Sequence, residues 1–126
     1  MLLLDSGGVS RLAVRSRRVV ALIEQLRARA LWPPVVPSIV LVECLQGHLG
    51  KDAQTNALLR TCDVHESVPS RVARRAAFLR RKARRGSAVD ALVVAFAEPG
   101  GVVLTGDVDD LEALARWATD VGVERI

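Results

Sequence analysis

Very short apolar runs alternate with longer stretches of helical periodicity from one end of the chain to the other. Leu2 to Leu4, Val35-Val36, Cys62 to His65, Val102 to Leu104 and Val121 to Glu124 read as strands. Between them, Arg17 to Ala30 places Val19, Leu22, Ile23, Leu26 and Ala30 on one helix face and stops at Trp32-Pro33-Pro34. Pro37-Ser38 is expected to open a helix reaching about His48, with Ser38 as N-cap and Gly47 and Gly50 marking its end. Further helices are expected over Asp52 to Arg60, Ser70 to Arg85 and Ser87 to Ala97, the last two separated at Gly86, and over Leu111 to Ala118. Asp5-Ser6-Gly7-Gly8 interrupts the chain after the first strand. Short apolar strands alternating with longer helices imply an α/β fold around a mainly parallel sheet of four or five short strands.

At 126 residues and 50% hydrophobic, the chain is sized for one domain over residues 1–126 and can build a core without disulfides or a structural metal. Its longest uninterrupted apolar run, Ala91 to Ala97, is far below the roughly 20 residues a bilayer span needs, so no membrane partner is expected. Met1 to Asp5 lacks the basic start and length of a signal peptide, and Cys44 and Cys62 lie in apolar segments as reduced thiols would. The expected location is the cytoplasm.

Charge is unevenly spread. Arg71, Arg74, Arg75, Arg80, Arg81, Lys82, Arg84 and Arg85 fall in one acid-free stretch, whereas Asp107 to Ile126 carries six acids and two arginines. Val72, Ala76, Leu79 and Ala83 turn one side of the basic helix toward a core. Its other side is either a solvated face or a surface for an anion such as RNA or DNA phosphate, and the want of opposite-sign i,i+4 pairs favours the anion. Trp32, Phe78, Phe96 and Trp117 are the only aromatic residues, so a single-strand binder working through exposed rings is not expected; the backbone would be gripped instead.

Three carboxylates stand in apolar company: Asp5 after Leu2-Leu3-Leu4, Glu43 within Ile39 to Leu45, and Asp90 within Ala88 to Ala97. An unpaired buried carboxylate costs several kcal/mol at least, so each needs a partner or a use. Structural uses are open to all three: Asp5 as an N-cap, Ser87-x-x-Asp90 as a capping box, Glu43 as the partner of an arginine. Asp107 follows the strand Val102 to Leu104 and is open to helix capping too. In a parallel sheet, the ends of Leu2 to Leu4 and Val102 to Leu104 open on the same edge, where ligands of such folds bind. Carboxylates brought together there tolerate one another only around cations, and an all-oxygen set suits Mg²⁺ or Mn²⁺, one or two ions. Beside an arginine-rich helix, that chemistry is phosphodiester hydrolysis.

The order apolar strand–Asp5, Pro37-Ser38-x-x-x-x-Glu43, Val89-Asp90-Ala91-Leu92-Val93-Val94-Ala95-x-Ala97 and Val103-Leu104-Thr105-x-Asp107-x-x-Asp110-Leu111 resembles the PIN-domain ribonucleases. In length and coverage the chain is similar to VapC toxins of bacterial toxin–antitoxin pairs. The resemblance implies a three-layer α/β/α fold, Mg²⁺- or Mn²⁺-dependent endoribonuclease activity, a homodimer, and inhibition by a cognate VapB-like antitoxin. By position, Asp5, Glu43, Asp90 and Asp107 correspond to the catalytic, metal-binding acids, Ser6 and Thr105 to supporting residues, and Asp110 to a helix cap. Arg71, Arg74, Arg75 and Arg81 are the candidate RNA contacts. Ser6-Gly7-Gly8 departs from the small-then-bulky pattern usual in the family.

Two other readings stand beside it. Cys44-x-x-x-His48 and Cys62-x-x-His65 supply four zinc-type ligands at unfamiliar spacing. A non-catalytic nucleic-acid or partner-binding domain keeping the PIN-like fold is the other.

Overall fold

The computed structural model describes residues 1–126. Five parallel strands form one sheet: β1 (Leu2–Leu4), β2 (Val35–Pro37), β3 (Asp63–His65), β4 (Val102–Thr105) and β5 (Gly122–Arg125), in the order β3-β2-β1-β4-β5. Leu2, Leu3 and Leu4 are all buried because β1 is central and covered on both faces, as a continuous apolar run in a parallel sheet requires. From β1 the chain proceeds to β2 on one side, and from β4 it proceeds to β5 on the other. Strand order therefore reverses between β1 and β4, the position where open parallel sheets bind ligands.

The helices are α1 (Ser6–Ala13), α2 (Arg17–Ala28), α3 (Leu41–Cys44), α4 (Ala53–Leu59), α5 (Ser70–Ala83), α6 (Ala88–Ala97) and α7 (Asp109–Ala115). Helix α1 packs against α3 and α4, while α5, α6 and α7 pack against one another, giving a three-layer α/β/α arrangement. Helix α6 is apolar almost all round because it lies between β1 and β4 on one side and α5 and α7 on the other. No helix is long and apolar enough to cross a membrane.

Two segments differ from expectation. The chain does not loop after β1; α1 begins at once, with Asp5 as its N-cap. Gly7 and Gly8 are there for close approach, since a Cβ on Gly8 would collide with the Leu104 carbonyl oxygen and one on Gly7 would lie 3.2 Å from the Gly106 nitrogen. The expected helix from Ser38 to His48 is instead a 3₁₀ turn over Ser38–Val40 followed by the four-residue α3, which ends at an extended Leu45. Ser38 caps nothing; its hydroxyl donates to the Glu66 carbonyl at 3.4 Å.

Candidate functional site

Parallel register creates the centre of the site. Leu2, Leu3 and Leu4 pair with Val102, Val103 and Leu104, so the next residues along, Asp5 and Thr105, emerge side by side at the carboxyl edge. The Thr105 hydroxyl donates to Asp5 Oδ2 at 2.6 Å, and the Gly8 N–H donates to Oδ1 at 2.6 Å. Thr105 Oγ1 also accepts the Asp107 N–H at 3.1 Å, which joins the β4–α7 turn to the β1–α1 junction. Asp5 is only 7% exposed and has no cationic partner. Burial holds its carboxyl above the ordinary 3.8, and the negative charge of Asp90 pushes the same way, against the lowering by Thr105 and Gly8.

Asp90 lies in the first turn of α6, close enough for its charge to act on Asp5. It forms the capping box with Ser87: the Asp90 N–H donates to Ser87 Oγ and the Ser87 N–H donates to Asp90 Oδ2, both at 3.0 Å. Oδ1 keeps no protein partner. Asp5 and Asp90 thus fill the cap positions that the sequence left open for them, and each retains acceptor capacity toward solvent, because a carboxylate offers about four lone pairs.

The other two expected acids are on the surface. Glu43 is exposed on α3, a single turn that ends at the next residue, Cys44, and it makes no hydrogen bond or ion pair. Asp107 is exposed, and its Oδ1 accepts the Asp109 N–H at 3.3 Å. No three Asp, Glu, His or Cys side chains converge at metal-liganding distance. Asp110 does not cap α7; Arg85 pairs with it at 3.0 Å. Ser6 is the first residue of α1, half-buried, and its side chain forms no hydrogen bond.

The basic helix has two ends with different neighbours. Toward one, Arg75 Nε donates to both Glu98 oxygens, at 3.1 and 2.9 Å, and Arg75 Nη2 donates to the Trp117 carbonyl. Glu98 follows the C-terminus of α6, about 12 Å along the axis from Asp90. At the other, Arg80 bonds the Gly86 carbonyl and Arg84 forms a left-handed C-cap, beside the start of α6. Arg75 is consequently not a free phosphate ligand, and Arg71 lies at the end remote from the carboxylates. Arg74 and Arg81 are exposed and unpaired, and Arg81 and Arg84 lie at the C-terminal end of α5, the end that leads into α6.

Sequence reading missed one buried acid. Asp52, 5% exposed, accepts the N–H groups of Gln46, Gly47 and His48 at 2.9 to 3.1 Å, and these bonds hold it below the ordinary 3.8. The glycine-containing polar loop before Asp52 was the available signal. Neither cysteine joins a ligand set: Cys44 Sγ donates to Leu41 O and Cys62 Sγ to Leu58 O, and burial raises both thiols, Cys62 to about 11. Comparison of the chain with protein-family models and with curated proteins finds no match.

Proposed function

We propose that the chain is a Mg²⁺- or Mn²⁺-dependent endoribonuclease, acting at the β1–β4 edge and held inactive by a protein antitoxin. The observation carrying this reading is Asp5: a carboxylate buried at the strand-order reversal, with no cation of its own and with the Asp90 charge beside it. Evolved cores leave a buried acid in that state where it has a use. The donor set fits a hard cation, because Asp5 and Asp90 offer carboxylate oxygens with spare lone pairs and no thiolate or imidazole competes. Asp5 and Asp90 would hold the ion, with Glu43 and Asp107 on the exposed rim as the remaining acids. A bound divalent ion supplies an activated water and neutralises charge on the scissile phosphate.

The chain's own residues do the positioning. Thr105 and Gly8 fix both Asp5 oxygens, and the Ser87–Asp90 box fixes the second carboxylate, so the two charges meet the ion without losing side-chain freedom on binding. Arg81 and Arg84 carry positive charge at the end of α5 that leads into α6 and can grip neighbouring phosphates.

The test is cleavage of a labelled RNA during titration with Mn²⁺, repeated with Asp90→Asn. Asparagine keeps an acceptor for the Ser87 N–H, so the variant folds. Cleavage that requires metal and vanishes in Asp90→Asn supports the proposal, and cleavage surviving in the folded variant overturns it. The capping duties of Asp5 and Asp90 favour a second reading, a non-catalytic nucleic-acid or partner-binding domain. Binding of RNA without any metal-dependent cleavage selects that one.

A further inference from the structure

Helix α5 carries, beyond its arginines, an aromatic surface that the aromatic count alone did not anticipate. Phe78 is 38% exposed and Trp117, just past α7, is 49% exposed. Lys82 Nζ lies 5.8 Å from the Phe78 ring and 5.6 Å from the Trp117 ring, so the two rings flank one ammonium group. Arg75 Cζ sits 4.9 Å from the Phe78 ring, anchored from behind by Glu98. Residues 74, 75, 78, 81 and 82 recur at helical spacing along one side of α5, away from the buried Val72, Ala76 and Leu79. The nearby acids Glu98 and Asp110 are each neutralised by an arginine of this stretch, which leaves Arg74, Arg81 and Lys82 without acidic partners.

We propose that the Phe78–Trp117 surface is a stacking platform for single-stranded RNA outside the cleavage site, with Arg74, Arg81 and Lys82 holding the phosphates on either side. Half-exposed rings among cations match both halves of a nucleotide: the ring surface that Arg75 and Lys82 leave open accepts bases, and the unpaired cations accept the backbone. A protein partner would use the same rings, but an acid-free stripe facing it would have to be answered by an equally acidic surface, whereas a polynucleotide is anionic along its whole length. The stripe runs along α5 to Arg81, and the chain continues through Arg84 to Asp90 in the first turn of α6, so a strand lying on it is directed toward that end of the helix pair. This inference rests on RNA being the substrate.

The experiment uses oligoadenylate about eight nucleotides long, within the span of known single-strand sites, in EDTA so that binding is read without turnover. In Trp32→Phe, Trp117 is the sole tryptophan. Its emission should be quenched on titration. In the wild-type background, Trp117→Ala, Phe78→Ala and the milder Phe78→Leu should each weaken binding, the alanine changes by about tenfold, while affinity for heparin, a polyanion without bases, stays unchanged. Arg74→Ala with Arg81→Ala should weaken both ligands and flatten the salt dependence. Unquenched Trp117 emission, or ring variants that bind oligoadenylate as the wild type does, overturns the platform. Ring variants that change the sedimentation of the free protein but not its RNA affinity also overturn it, in favour of a protein interface. Normal stacking without metal-dependent cleavage retains the platform and rejects the nuclease, and cleavage by a protein whose ring variants bind normally does the reverse.

Discussion

The molecule buries two aspartates, and they are opposites. Asp52 is surrounded by donors: three successive backbone N–H groups point at its carboxylate, which lies below its ordinary 3.8. Asp5 has one backbone N–H and one hydroxyl, a like charge nearby and no cation, and lies above the same value. Full hydrogen bonding makes a buried charge a structural brace, here tying the segment after α3 to the start of α4. Partial satisfaction, with the charge of a second carboxylate acting on it, is why we propose a cation for Asp5. Both acids stand at the N-cap of a helix, and the contrast lies in how far the fold satisfies each charge.

The largest expected effect breaks the pair from the chemical side. Asp5→Asn or Asp90→Asn should lower Mn²⁺-dependent RNA cleavage by more than the roughly 10–100-fold that loss of an outer partner costs at a metal site. Thr105→Val removes such an outer partner from Asp5 and should fall within that 10–100-fold range in the same assay. Asp52→Ala acts on the other member: it should lower the melting temperature and speed hydrogen exchange at Gln46, Gly47 and His48, whose N–H groups lose their acceptor. A smaller effect distinguishes fold from function at Asp90. Asp90→Ala breaks the capping box and should cost about 1 kcal/mol in a thermal melt, whereas Asp90→Asn keeps most of that stability.

pH should move the two acids in opposite senses. The folded state binds the Asp5 proton more tightly than the unfolded chain, so its contribution against stability is absent below 3.8, grows as pH rises, and is complete above the raised value. Asp52 contributes stability above 3.8 that is lost as pH falls through its lowered value. Melting temperature against pH for Asp5→Asn and Asp52→Asn, each subtracted from wild type, should therefore show slopes of opposite sign; equal signs would erase the distinction.

Much of this was legible from residue order. An acid directly after an apolar strand, and a threonine one register step beyond another, meet wherever the strands pair in parallel, so the Asp5–Thr105 contact is nearly written in the chain. The capping box was legible for a local reason, the Ser87-x-x-Asp90 spacing. Asp52 was not, because its partners are backbone N–H groups whose positions depend on a turn through Gly47 at φ 75°, and no side-chain spacing reports that. Helix α1 was obscured because Gly7 and Gly8 look like breakers; only the packed sheet shows that their missing side chains make room for Leu104 and Gly106. The run Ile39 to Leu45 had the length of a helix, yet the 3₁₀ turn at its start and the extended Leu45 at its end leave Glu43 on a single exposed turn. Likewise, a count of four aromatic residues could not say that Phe78 and Trp117 would share one cation.

An anomalous difference map from a crystal soaked in Mn²⁺ addresses the Asp5–Asp90 assignment without relying on turnover. It should show a manganese peak in direct contact with carboxylate oxygens of both residues, absent when Asp5 is replaced by Asn. Manganese bound only elsewhere, with Asp5 still held by Thr105 and Gly8 alone, would contradict it.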